Sequence, residues 1–503
     1  MASLAQSTEM KITASNTHET TTSETHGDVV NAKPHFNFLG CLGMNFSISM
    51  TPLAIGTYLS LSIGTGGPPF FLYEFIFAGL GQILLCVALA EMASGLPHSS
   101  GPAYWVVVLG PKALSRPLGY IVGWLTNACW FFISCASFLF LAQLTMALVE
   151  AAEPSYNPKV WHTYLIYCAF ATNGFLVNLP RVFKVISWSL SASVFIINAS
   201  ALFIFISLLV RAHPKQSART VFVDVVNKTG WDSDVVVFFL SILPGAASVG
   251  GLDSALHLTD EVDRPSKQIP MVMISSALLS FFTGIPSIII YLFCNTNPEG
   301  LLDPVGGQPI IQLFFDAYDS KALSILASTF LIMCFTIAGW AALTSWNRLY
   351  WSFSRNRGFP FSRFSAKLSS SDDLPINALY INLFLIIALG AVQLGSTTAM
   401  NALLGGASLC GKSSFGIALA LLLWRGRDSL PRDRWLNLGK YGVAVDAIAI
   451  LWIVWMCIWI SFPLYIPVTA QSMNYASVIF VGIMVISAIY YFIRFKNFQG
   501  EQV

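Results

Sequence analysis

The sequence predicts an all-α membrane protein. It should have twelve transmembrane helices: a five-plus-five inverted repeat with broken helices 1 and 6, plus two additional C-terminal helices. Three observations predict it. Hydrophobic residues make up 55% of the 503 and charged residues only 10%, against about 25% charged in soluble domains. The apolar residues gather into runs of membrane-spanning length. Two of those runs, five spans apart, are interrupted mid-way by proline, glycine and hydroxyl residues, as in transporters built from inverted repeats.

Residues 1–35 are rich in Thr, Ser, Glu and His and read as a disordered cytosolic tail. The widely spaced His18, His26 and His35 predict no metal site, and no cleavable signal peptide is expected. A transporter domain occupies 36–496. Its apolar runs lie at 45–64, 70–94, 118–149, 162–179, 186–210, 235–257, 270–294, 321–347, 374–395, 399–424, 442–461 and 475–495. The first repeat covers about 45–210, the second about 235–424, and helices 11–12 about 442–495; 497–503 form a cytosolic C-terminal tail. The third run is long enough to tilt or protrude.

Lys and Arg orient the chain. With the N-terminus inside, twenty of them fall in cytosolic segments and six in outer loops, Lys412 lying within a span. That partition places both termini in the cytosol. Asn227-Lys228-Thr229 is a glycosylation sequon in a loop, and it falls outside. A net charge of +2 gives no reason to invoke nucleic acid. The nine cysteines lie mostly inside spans and imply neither a metal site nor a disulfide framework.

Span 1 carries Met50-Thr51-Pro52-Leu53-Ala54 at its break, and Gly66-Gly67-Pro68-Pro69 turn the chain into span 2. Span 6 breaks at Pro244-Gly245 and again at Ser248-Val249-Gly250-Gly251, then resumes with Asp253 and His257. Freed backbone groups survive in hydrocarbon only where they are buried in protein or line a watery cavity. A plain proline kink is the competing reading. In a cavity, the half-helix N-terminus at Thr51–Ala54 suits a carboxylate. Carbonyls at Ser248–Gly251, or an aromatic face, suit an ammonium. Trp124, Trp130, Phe131 and Trp340 are candidates for that face, against ordinary packing.

Asp253, His257 and Glu261 recur at i, i+4 and i+8 and predict one helical face, a gate or proton relay. The competing reading for His257 and Glu261 is a solvated helix end. Lys412, near the middle of span 10, costs about 2.5–3.5 kcal/mol to insert. It should face the bundle interior, where it replaces a coupling cation, binds an anionic substrate, or pairs with Asp253 or Glu74; otherwise it snorkels. Glu91 with Arg348 and Arg355 suggests an inner gate of ion pairs, against the competing and favoured reading of plain juxtamembrane charge.

Four stretches carry a family resemblance. They are Ala90-Glu91-Met92-Ala93-Ser94 through Tyr104-Trp105, Gly251-Leu252-Asp253 through His257 to Glu261, Ser354-Arg355-Asn356-Arg357-Gly358-Phe359-Pro360-Phe361-Ser362, and Phe462-Pro463 through Met473-Asn474-Tyr475-Ala476. In this order they resemble the motifs of the amino acid/choline transporter family, within the amino acid–polyamine–organocation superfamily, over about 36–496. The resemblance implies a permease for 4-aminobutyrate, choline or a related solute in a largely fungal group. The chain departs from the pattern at Ser100-Gly101-Pro102-Ala103, where the family has Gly-Gly, at Leu252, and at Lys412, where it has neutral residues.

The resulting expectation is a secondary active transporter, not an enzyme. Proton-coupled and without cofactor or metal, it imports a small amino acid or amine across the plasma membrane. The alternatives are an exporter or compartmental transporter of a nitrogenous metabolite, and a non-transporting solute receptor. Its partners are the lipid bilayer and a small molecule. No channel filter and no catalytic motif of the His-Glu-x-x-His or GxSxG type is present.

Overall fold

The computed structural model describes residues 36–369, 374–394, 397–470 and 472–495; the tails predicted at 1–35 and 497–503 lie outside the described residues. Among the described residues every regular element is helical, and β pairing is confined to two isolated bridges, Phe36–Val262 and Thr65–Asn227.

α1 (Phe38–Ser49) starts where the Asn37 side-chain oxygen accepts from the Gly40 N–H at 2.8 Å, satisfying a donor that every helix start leaves open. The first span therefore begins at Phe38 rather than at 45. Met50 ends α1 with a φ of 24°, a strained value for a residue with a side chain. α2 (Thr51–Ala54), a 3₁₀ turn (Ile55–Tyr58) and α3 (Leu61–Gly64) complete the broken first span. Gly66 at φ 90° and two prolines then open α4 (Gly67–Gly95).

α5 (Pro102–Leu109) leads to α6 (Ser115–Ala152), whose 38 residues exceed a membrane's thickness as predicted. α7 (Val160–Val177), α8 (Phe183–Arg211) and α9 (Ala218–Phe222) come after it. The sixth predicted span is split into α10 (Asp234–Leu240), α11 (Ile242–Ser248) and a 3₁₀ segment (Ser254–Glu261). Gly251, at φ 66°, occupies the turn between them. Next come α12 (Pro265–Phe293), α13 (Pro309–Ala317), α14 (Lys321–Arg355), α15 (Ser362–Ser365) and α16 (Ile376–Gly390), then α17 (Thr397–Arg425), α18 (Gly442–Ser461) and α19 (Ala476–Tyr490).

Ten helical stretches among the described residues are long and apolar enough to cross a membrane. The fourth and sixth predicted spans are not among them. α7 carries more polar side chains, and the α10–α11 pair is short because its backbone breaks.

α1 packs on α8, α12 and α14; α6 lies between α14 and α17; α4 backs onto α12 and α18. The α1–α8 crossing is so close that a Cβ on Gly43 would sit 1.7 Å from the Leu190 carbonyl oxygen, which only glycine avoids. These packings hold the two breaks face to face.

Candidate functional site

Asn45 ties the breaks together. Its Nδ2 donates to the Leu252 carbonyl at 3.1 Å and to Ser276 Oγ at 3.2 Å. Its Oδ1 accepts from the Ala255 N–H at 2.8 Å and from the Ser254 hydroxyl. Thr51 Oγ1 donates to the Ser248 carbonyl at 2.5 Å, and Tyr291 donates to the Pro52 carbonyl at 2.9 Å. The backbone groups that both breaks release thus find protein partners.

Between the breaks lies a cavity of about 160 Å³. That is near the size of an apolar cavity that holds benzene, about 150 Å³. Met50, Ala54, Ser248, Gly250, Gly251, Asp253 and Lys412 line it, as the sequence predicts. Thr51, Pro52, Leu53 and Val249 are buried beside it without lining it. Ser248 Oγ is buried with no partner among the described residues.

The aromatic wall differs from expectation. Tyr58, Phe140, Phe335 and Phe415 form it, with Tyr58 and Phe140 edge to face at 6.2 Å. Trp340 turns away and donates to Asn173 Oδ1 at 2.8 Å. Trp124 packs on Phe359 and Phe131 on Trp346. Trp130 stands behind Asp253 and donates to its Oδ2 at 3.3 Å. Aromatic type does not encode which way a helix turns its ring.

Asp253 and His257 make the most constrained contact. His257 Nδ1 lies 2.9 Å from the Ser99 carbonyl oxygen, which only accepts, so Nδ1 carries a proton. Nε2 then faces Asp253 Oδ2 at 3.2 Å. A neutral ring would place a lone pair against a carboxylate, so one further proton belongs between them, on the ring or on the carboxyl. The loop bearing Ser99 is itself fixed. Burial, with Arg355 nearby, holds His98 down to about 4. The neutral His98 ring stacks on Tyr104, and its Nδ1 accepts from the Ser100 N–H at 2.9 Å.

Glu261 does not join this pair, although the sequence spacing predicts one shared face. It accepts instead from Arg348 Nε at 2.9 Å, both side chains buried. Glu91 does not meet Arg348 or Arg355. Its Oε1 accepts from Arg434 Nε at 3.0 Å, Arg434 Nη2 at 2.9 Å and the Leu438 N–H at 3.0 Å, while Oε2 pairs with Arg427. Arg427 also holds Asp446. The predicted gate is therefore two separate clusters.

Lys412 bonds neither Asp253 nor Glu74. Its Nζ donates to Gln82 Oε1 at 2.6 Å, and Gln82 Nε2 donates to the Ala246 carbonyl at 2.7 Å. Gln82 is not among the residues the sequence singles out, although a lone amide inside an apolar helix is a readable signal. Asn227 sits in the loop at the opposite end from Glu91; its Oδ1 accepts from the Thr229 hydroxyl at 2.7 Å.

Comparison with known proteins gives a consistent picture. A family model described as amino acid permease matches residues 36–486. A choline transporter of Saccharomyces cerevisiae is 28% identical over 465 residues, covering 92% of this chain and 82% of the relative. A 7-keto 8-aminopelargonic acid transporter of the same yeast is 23% identical, covering 91% of this chain and 92% of the relative. A swainsonine transporter of Arthroderma benhamiae is 24% identical over 93% of this chain and 92% of the relative.

Proposed function

Because this chain belongs to the amino acid permease family and is a multi-pass membrane transporter, we propose that it imports a small amino acid or amine in symport with protons. The observation that carries this reading is the cavity between the two helix breaks, with Asp253 on its wall and His257 Nε2 3.2 Å from the Asp253 carboxylate. A site at the meeting of two broken helices fits alternating access between inverted repeats. A proton-binding pair beside a solute cavity fits coupling of the two. The plasma membrane is the proposed location, with both termini cytosolic.

The test is uptake into proteoliposomes. With the interior alkaline, one solute from a panel of amino acids and amines, 4-aminobutyrate and choline included, should accumulate, and a protonophore should abolish the accumulation. Accumulation driven by sodium with no pH gradient would overturn proton coupling. Lys412 favours a second reading, a specialised carrier for a nitrogenous metabolite; one relative is named as a swainsonine transporter. That reading gains if flux runs from the cytosolic face outward. Topology has its own check: epitope tags at either terminus should be unreachable in intact cells, and labelling of either from outside would invert the orientation.

A further inference from the structure

We propose, on the reading of this cavity as a transport site, that Lys412 binds a substrate carboxylate, so that the site takes a zwitterion in preference to a simple amine or quaternary ammonium ion. Lys412 is only 7% exposed, and it lines the cavity. An ammonium carries three donors. One of them goes to Gln82 Oε1. Gln82 is neutral, and its amide nitrogen is committed to the Ala246 carbonyl, so it offers Lys412 an oxygen but no charge.

Lys412 makes no ion pair among the described residues. The nearest acidic group on the wall is Asp253, and it is already engaged. With the proton it shares with His257, that pair carries no net charge. The cavity therefore presents one uncompensated positive charge in a place where an isolated buried cation is costly. A carboxylate supplies the missing charge and accepts the free N–H groups. Choline would set a second cation beside the first.

The other end of a zwitterion is also provided for. Tyr58, Phe140 and Phe335 line the cavity, and aromatic rings there suit an ammonium or quaternary head. The unpartnered Ser248 hydroxyl offers a hydrogen bond. Gln82 links Lys412 to α11 through Ala246, so occupation of Nζ bears directly on the broken helix.

The experiment uses the full chain in lipid nanodiscs and matched ligand pairs: glycine betaine against choline, and 4-aminobutyrate and its longer and shorter homologues against the corresponding alkylamines. Calorimetry reads binding, not transport. The carboxylate member of a pair should bind roughly tenfold to a hundredfold more tightly. Lys412→Met should erase that ratio, and Lys412→Arg should keep most of it. Where Lys412→Met fails to elute as a folded species, Lys412→Gln, which keeps a donor for Gln82, takes its place, and the wild-type ratio decides independently of either.

Equal binding of both members, preference for the cation, the absence of carboxylate-dependent binding across the series, or a ratio that survives loss of the lysine each overturns the proposal. Carboxylate-selective binding without accumulation in proteoliposomes would refute the carrier reading and leave this one standing. Accumulation of choline as readily as glycine betaine would do the reverse.

Discussion

Glu91→Ala should be among the most destabilising single substitutions in this chain. The carboxylate is fully buried at the C-terminal end of α4 and accepts from two arginines and a backbone N–H. Removing it leaves Arg434 without its anion and the Leu438 N–H without its acceptor, while Arg427 keeps only Asp446. Breaking a buried pair by deleting one partner costs about 3–5 kcal/mol, because an uncompensated charge stays behind. The exposed Lys228–Glu299 pair is the natural control, since such surface pairs contribute about 0–1 kcal/mol. Heat inactivation of the purified protein in detergent reads the difference. Glu91→Ala should inactivate far sooner than Glu299→Ala. Equal rates would mean that the segment after α17 is not held to α4 by this cluster.

That cluster also shows where the sequence stops being legible. The spans are readable because hydrocarbon demands apolar runs of one length, and the breaks are readable because proline and glycine free backbone groups there. Glu91 is recognisable as an acid at the end of a span, but its partners are not. Arg427 and Arg434 are more than three hundred positions away, in a loop whose path no local pattern specifies. The start of the first span is hidden for a simpler reason. The run from Phe38 to Met44 is as apolar as the residues after it, and only the Asn37 cap marks its edge. Trp340 and the true aromatic wall fall in the same class. With 14% of residues aromatic, type alone does not select the rings that face the cavity. Lys412 is legible as a residue that must be paired, since its insertion is costly; its pairing with Gln82 comes from the packing of α4 near α17.

Asp253→Asn should separate solute movement from its driving force. In the native pair, Nδ1 of His257 is committed to the Ser99 carbonyl, and the contact between Nε2 and Asp253 Oδ2 requires a proton. Asparagine offers its own N–H to Nε2, so the neutral ring is satisfied with no proton from solution; the long Trp130 bond is what it gives up. The cavity keeps its shape, because the two side chains have nearly the same volume. Exchange of labelled for unlabelled solute across the membrane should therefore persist in Asp253→Asn. Uphill uptake should not. With one proton per solute, a gradient of about one pH unit supports roughly tenfold accumulation in the wild type, and the variant should settle near equal concentrations on both sides. Asp253→Ala should lose exchange as well, since it leaves Nε2 facing an empty space beside the solute. If Asp253→Asn accumulates solute to the wild-type ratio under the same pH gradient, the coupling proton does not reside on this pair. If it loses exchange together with accumulation, the carboxylate serves the solute itself.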